Sequence, residues 1–587
     1  MDKNQRRELG AHYTSEENIL KLINPLFMDN LWKEFARVKT KPIALERFHD
    51  RISRLKFLDP ACGCGNFLMI AYRELRLLEL EILKMRSGGA RKRIPDISPL
   101  LKVSVEQFYG IEYEDFPCRT AQLGMRLIDH QMNLRVFEHF GQYYARLPLT
   151  QSATIVHGNA LRIDWESVVP KNELSYILGN PPFNGARWMN NAQKDDMLHV
   201  FENIKGVGNL DYVTAWYKKA ADMMSGSTIR TAFVSTNSIV QGEQAAILWK
   251  PLTERGIFIN FGVSTFKWSS EANGKAAVHC VIIGFSCRKT TPNINPYLIE
   301  APTVFINRRT KPLCNVPEMV FGSMANDGGN LIIEENEYEV FVEKEPSALP
   351  YIKRFMMGDE FINNKKRWCL WLVNISPSII RKLPLVMERV TKCRNYRLES
   401  RRKVTRKGAD FPSRFMEVRQ PDSDYIAIPK VSSERRKYIP TGYLDKEIIA
   451  GDKLFTLTNA GLYHFGVLTS TVHMAWIRTV CGRLKSDYSY SNTIVYNNFP
   501  WPNATSEQKA EVENPAQAVL EARSKYPDSS LADLYDPLNM PPELLKAHQN
   551  LDRAVIKLYG LSKDTPEPAI VAALMERYRE LISKVFW

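Results

Sequence analysis

The chain has 587 residues, 44% of them hydrophobic and 25% charged, with a formal net charge of +14. It is a globular chain large enough for several cores, roughly three or four domains by the usual length prior. No apolar run approaches the ~20 residues of a membrane helix, and Met1 to Arg7 leads into no apolar signal core, so a cytoplasmic protein is expected. The nine cysteines are scattered and odd in number, which indicates no disulfide framework. Cys62 and Cys64 stand one residue apart without a second Cys or His pair at zinc-ligand spacing, so they read as small turn residues and no metal is expected.

In chain order, Thr14 and Ser15 are a plausible cap for a helix over 16–35. The run Lys56-Phe57-Leu58-Asp59 is a short apolar strand that enters the turn Pro60-Ala61-Cys62-Gly63-Cys64-Gly65 and then a helix from Asn66 and Phe67. A strand, a Gly-x-Gly turn and a helix bring backbone close to a ligand and aim helix N–H groups at it. Leu68 fills the third glycine position of a dinucleotide fingerprint, and an acid at the strand end suits a cationic amino group better than a pyrophosphate. A second strand, Phe108-Tyr109-Gly110-Ile111, ends in Glu112, placed to hold both hydroxyls of a ribose. Further strands end at His157 and Gly179, followed by 230–236 and 277–285, with a helix over 211–224. This alternation predicts a mostly parallel sheet with helices on both faces and ligands at its carboxyl edge.

After the apolar run 175–178 comes Gly179-Asn180-Pro181-Pro182-Phe183. The two prolines stiffen the segment and leave carbonyls free. Asn180 Oδ1 and the Pro181 carbonyl can both accept from one exocyclic NH2 while Phe183 stacks on the ring that bears it. Taken alone, these residues fit a Pro-Pro turn after a strand at least as well.

From about 300 to 500 the pattern is mixed, and its charge is uneven. Residues 381–437 hold 17 Lys and Arg against 7 Asp and Glu, a net of +10. Tyr396, Phe411, Phe415 and Tyr425 are interleaved with Arg394, Arg397, Arg401, Arg402, Arg406 and Arg414, which favours a nucleic-acid face over a solvated basic helix. Phosphate contacts are expected from Arg401, Arg402 and Arg406. Base contacts are expected from residues 430–437 and 483–490, in particular Arg435, Arg436, Lys485 and Asp487. Past Pro500-Trp501-Pro502 the chain is helical, with Leu544, Ala547, Leu551, Val555 and Leu558 at helical spacing.

The order DPACGCGNFL, GIE, HGNAL and GNPPF resembles the S-adenosylmethionine-dependent amino-methyltransferases of DNA. Leu9-Gly10-Ala11-His12-Tyr13-Thr14-Ser15 is similar to the extra cofactor motif that opens the N6-adenine subgroup whose recognition domain follows the catalytic one. Through Phe266-Lys267-Trp268, Tyr490 to Pro500 and Met540 to His548 the chain resembles the MmeI-like group of type II restriction-modification proteins over nearly its whole length. The resemblance implies a Rossmann-like methyltransferase domain over 1–300, a mixed α/β target recognition domain over 301–502 and a helical segment over 503–587. It implies cofactor contacts from Ala11, His12, Tyr13, Thr14, Asp59, Pro60, Ala61, Gly63, Gly65, Asn66, Phe67, Glu112, Asn159, Ala160 and Asn180. The catalytic residues would be Asn180, Pro181, Pro182 and Phe183, with Phe266 over the other face of the base, where an ordinary core aromatic is an equal reading.

The implied function is transfer of a methyl group from S-adenosylmethionine to adenine N6 of a base flipped out of duplex DNA, in a restriction-modification or phage-defence setting. Related enzymes of the group carry a nuclease and a helical connector ahead of the methyltransferase. Here the first cofactor motif begins at Gly10, and no acid pair with Glu-x-Lys is evident, so modification without cleavage is expected, with cutting left to a separate restriction or defence subunit. The alternatives are cytosine-N4 methylation, a protein glutamine methyltransferase, and a DNA-recognition subunit that retains a cofactor pocket without catalysing.

Overall fold

The computed structural model describes residues 14–87, 97–141, 152–202, 204–268 and 278–585. The chain divides into two compact units, Met1–Phe305 and Ile306–Trp587.

The first unit is built on one seven-stranded sheet. Its strands are β1 (Phe57–Asp59), β2 (Phe108–Glu112), β3 (Thr154–His157), β4 (Tyr176–Gly179), β5 (Arg230–Thr236), β6 (Phe258–Trp268) and β7 (Val278–Ser286). They lie in the order β3-β2-β1-β4-β5-β7-β6. The first five run parallel, and β7 pairs antiparallel with both β5 and β6. The 258–268 strand is absent from the sequence expectation because register shifts between Ile259 and Phe261 and between Val263 and Phe266 break the period-2 pattern that marks a strand.

Successive residues of a strand face opposite sides of its sheet, and β1 shows the result directly. Phe57 joins an apolar cluster with Phe27, Leu68, Tyr72 and Phe108, whereas Leu58 joins another with Trp165, Trp216, Tyr217 and Trp249. Helices therefore cover both faces, as βαβ crossovers require. The expected N-terminal helix is interrupted: α1 (Glu16–Ile23) and α2 (Asp29–Val38) flank a π turn, Asn24–Met28. Pro25 has no N–H to give the Lys21 carbonyl, and the chain absorbs the break in one wide turn. Ser15 occupies the N-cap position but its side chain makes no capping bond.

The second unit is mixed, with two four-stranded sheets and one three-stranded sheet. The small sheet pairs Val431–Ser432 with Asp487–Ser489, and the latter with Arg483–Leu484. It joins the two segments from which base contacts are expected. The basic stretch is less uniform than its composition suggests. Phe415 and Tyr425 are core residues, at 4% and 1% exposure, so they offer no stacking face. Arg397 is 1% exposed and donates to the carbonyls of Ala325, Asn326, Gly408, Phe411 and Arg414, which makes it a scaffold for the loops around it. The C-terminal helices Pro542–Leu558 and Glu567–Val585 bury Leu544, Leu551, Val555, Leu574 and Tyr578, a packing stripe as the spacing predicts.

Candidate functional site

Strand order reverses between β1 and β4: the chain steps outward from β1 to β3 and returns to the other side of β1. Such a switch point opens a crevice beyond the carboxyl ends of the strands. Asp59, Glu112, His157 and Gly179 stand at those ends.

Asp59 is fully buried. Its Oδ1 accepts from the Ala61 N–H at 3.0 Å, and its Oδ2 has no hydrogen-bond partner among the described residues. Burial, aided by the nearby Glu112 carboxylate, pushes its pKa up to about 8. A Cβ on Gly179 would stand 2.4 Å from Asp59 Oδ1, so only glycine lets β4 run past this carboxylate. Gly65 serves the turn in the same way. It takes the left-handed conformation, φ 87°, and a Cβ there would come within 3.0 Å of the Ala121 side chain. Helix α3 (Asn66–Arg86) starts directly after it. A Cβ on Gly63 would meet nothing within 4 Å, so the turn presents open space. Glu112 braces the turn from β2: Oε2 accepts from Gly63 N at 2.9 Å and Oε1 from Glu114 N at 3.0 Å. Burial raises the Glu112 pKa against the pull of these backbone bonds.

Asn180 follows β4. Its Nδ2 donates to Thr14 Oγ1 at 3.1 Å, and its Oδ1 is buried without a partner among the described residues. Thr14 thereby holds the amide by its Nδ2 end, with Oδ1 turned away from it. Phe183 is half-buried and packs against both apolar clusters of the unit. Asp211 secures the loop beyond. Its Oδ1 accepts from Ala186 N at 3.2 Å and Gln244 Nε2 at 3.1 Å, and its Oδ2 accepts from the hydroxyls of Thr236 and Ser238. The Asn184 carbonyl accepts from Tyr212 N at 2.8 Å. Pro60 offers its carbonyl to Trp216 Nε1 at 3.0 Å.

Asp59, Glu112, the Gly63 turn, Thr14 and Asn180 thus lie at one sheet edge. Phe67 and Ala160 are buried in the two apolar clusters. The Asn159 side chain is spent within the protein, donating to Asp196 Oδ2 and accepting from Leu161 N, both at 2.9 Å. Ala11, His12 and Tyr13 lie outside the described residues, as does the side chain of Phe266. The Thr14 and Asp211 bonds were beyond sequence reasoning because each joins segments distant in the chain.

In the second unit Arg401, Arg402, Arg406, Arg435 and Lys485 are exposed, and Arg436 and Asp487 are half-buried. Arg406 also donates to the carbonyls of Ser400 and Arg401. Lys485 sits at the tip of the turn between the paired strands Arg483–Leu484 and Asp487–Ser489. Desolvation lowers the Arg436 pKa, partly offset by Asp487.

Three family models align end to end with this architecture: MmeI, DNA-methyltransferase domain, over residues 35–296; MmeI, target recognition domain, over 300–503; and MmeI, C-terminal domain, over 504–586. DNA methyltransferase A of Bacillus subtilis (strain 168) is 38% identical over 596 residues, covering 99% of this chain and 67% of its own length. The chain belongs to the MmeI family. It is accordingly a restriction-modification DNA methyltransferase, of a kind that generally uses S-adenosylmethionine. The solved type IIL restriction-modification enzyme MmeI in complex with DNA superposes with a TM-score of 0.89 at 47% identity, over 99% of this chain and 80% of that one. A putative type II restriction enzyme and methyltransferase of Methanocaldococcus jannaschii is 28% identical over 105 residues, 18% of this chain and 9% of its own.

The raised pKa of Asp59 predicts a pH dependence of stability. Folded Asp59 keeps its proton up to about pH 8, whereas an unfolded aspartate loses it near ~3.9. Between these values the folded state binds the extra proton, so this group's contribution falls as pH rises from about 4 to 8. Denaturant unfolding of the ligand-free protein is expected to show Asp59→Asn more stable than wild type by a few kcal/mol at pH 8, with the difference shrinking toward pH 4. A difference independent of pH would contradict the raised pKa.

Proposed function

We propose that the chain methylates adenine N6 in duplex DNA at a specific sequence, with S-adenosylmethionine as donor and the target base flipped out of the helix. The observation that carries this reading is the buried Asn180 Oδ1, without a partner among the described residues while Thr14 occupies the other end of the amide. An acceptor at a strand end, followed by the carbonyl of Pro181, suits a group with two N–H donors on one nitrogen.

The donor set also fits the cofactor. Asp59 Oδ2 is buried and becomes an acceptor once a cationic amino group beside it draws off the carboxyl proton, and the open Gly63 turn leaves backbone room next to it. Glu112 stands at the next strand end for ribose hydroxyls. When bound, S-adenosylmethionine supplies an electrophilic methyl group, so the protein needs no nucleophilic side chain. Its own residues position the acceptor. Asn180 Oδ1 and the Pro181 carbonyl each take one N6 hydrogen, which withdraws the nitrogen lone pair from the ring and aims it for in-line attack. Phe183 stacks on the base, recovering about 1–3 kcal/mol of the cost of unstacking it. Thr14 acts as a positioning residue, since its bond to Nδ2 restrains the Asn180 side chain.

Recognition belongs to residues 301–502 in this reading, with 1–300 catalytic and 503–587 a helical support. The DNA-bound state of the MmeI enzyme of known structure favours a duplex partner. Exposed Arg401, Arg402 and Arg406 would meet phosphates, and the three-stranded sheet would present Arg435, Arg436, Lys485 and Asp487 to base edges.

Asn180→Ala is expected to lower methyl transfer by ~10²-fold or more while cofactor affinity, read by calorimetry, stays within a few-fold. Thr14→Val should give a milder loss, about 5- to 10-fold, the size of one neutral hydrogen bond. Near-normal turnover in Asn180→Ala would remove the assigned role.

Neutralising Arg401 and Arg402 together should weaken binding to every duplex and reduce the log–log salt slope by roughly one per contact, leaving the methylated motif unchanged. Changing Arg435 or Lys485 should instead shift or relax that motif at single positions, with ~1–3 kcal/mol of discrimination lost. Mapping methylated adenines genome-wide for each variant separates the two roles, and a motif altered only by the Arg401/Arg402 change would reverse them.

A further inference from the structure

Trp188 is 83% exposed, the most exposed aromatic side chain among the described residues. Its loop is nonetheless anchored on both sides. Upstream, Ala186 N is bound to Asp211 and the Asn184 carbonyl to Tyr212 N. Downstream, Met189 is buried at 6% exposure in the apolar cluster beneath, and Asn190 caps the helix Asn191–Phe201 through a reciprocal bond with Gln193. Within the loop, Trp188 N donates to the Gly185 carbonyl at 2.8 Å, closing a tight turn. The indole is therefore held outward by a fixed backbone, beside the exposed Arg187.

Its place relative to the chemistry narrows what can cover it. Trp188 stands five positions after Phe183, so their Cα atoms lie no more than about 18 Å apart. The other strongly exposed aromatics of this sheet edge, Tyr113 and Phe116, follow β2 beside Glu112, on the side assigned to the cofactor. Trp188 follows β4, on the side assigned to the target base. A duplex that surrenders one base leaves a cavity of base-pair thickness lined by two aromatic faces, and the partner base loses its hydrogen bonds. A rigidly mounted indole matches that cavity in thickness and chemistry, and the cationic Arg187 suits the phosphates around it.

We propose that Trp188 enters the duplex at the position vacated by the target base and holds that base in the catalytic pocket. This rests on the flipped-base reading given above. Trp188 is then a positioning residue: it touches DNA and not the reacting nitrogen.

The test uses the full chain, the motif mapped for the wild-type protein, and two synthetic duplexes. In one the target adenine is paired; in the other it faces an abasic site, so that no pairing opposes its extrusion. Trp188→Ala is expected to lower the methylation rate on the paired duplex by about 5- to 100-fold, the range of one base–aromatic stack. On the duplex with the abasic site it should stay within about threefold of wild type, and Trp188→Phe should retain most activity on both. With 2-aminopurine at the target position, the fluorescence rise on binding should be lost in Trp188→Ala and kept in Trp188→Phe. Full activity of Trp188→Ala on the paired duplex, or an equal loss on both duplexes, overturns the inference and leaves the proposed function standing. A wild-type protein that methylates neither duplex overturns the proposed function, and this inference with it.

Discussion

Two oxygens at adjoining strand ends, Asp59 Oδ2 and Asn180 Oδ1, are buried with no group in the described protein to bond them. Each such atom costs ~1–3 kcal/mol, and the nearby Glu112 carboxylate further disfavours ionisation of Asp59. The fold supports this cost with a sheet whose two faces are both packed by large apolar clusters. Placing the two acceptors together depends on Gly179, because any side chain there would strike the Asp59 carboxylate. The parallel order around β1 and β4 then supplies the crevice in which a cationic amine and a neutral amine could satisfy them. A methyl-transfer site made of acceptors alone has little to do but position its partners, and the surrounding bonds from Thr14, Glu112 and Asp211 all restrict position.

In the second unit, support comes from the C-terminal helices. The hydroxyl of Tyr438, just after Arg435-Arg436-Lys437, donates to Asp552 Oδ2 at 2.6 Å, while Asp552 Oδ1 accepts from Thr471 N at 2.7 Å. The Tyr438 ring stacks on His548 with centroids 4.1 Å apart and planes 16° from parallel. Desolvation holds the His548 pKa well below its ordinary value, so the stacked ring stays neutral and adds no charge beside the arginines. The helix Pro542–Leu558 thereby fixes the segment that leads out of the small three-stranded sheet. In this account the helical C-terminus holds a recognition surface in register.

Much of the first unit was legible in the sequence because its signals are local. Strand, glycine turn and helix follow one another within residues 56–75, and the strands ending at Asp59, Glu112, His157 and Gly179 are where the alternation places them. The 258–268 strand escaped because bulges break its period, and the π turn at Asn24–Met28 because a proline can interrupt a helix in more than one way. The basic stretch misled in part: composition does not distinguish the buried Arg397, which binds five backbone carbonyls, from the exposed Arg401 and Arg402. The Thr14 bond to Asn180 spans 166 positions and leaves no trace in either local pattern.

Duplex DNA incubated with the protein and S-adenosylmethionine carrying a deuterated methyl group can be digested to nucleosides and analysed by mass spectrometry. The prediction is N6-methyladenine bearing the label, formed by the wild-type chain and absent when Asn180 is replaced by alanine. Labelled N4-methylcytosine, or no labelled nucleoside from a protein that binds the cofactor and the DNA, would contradict it.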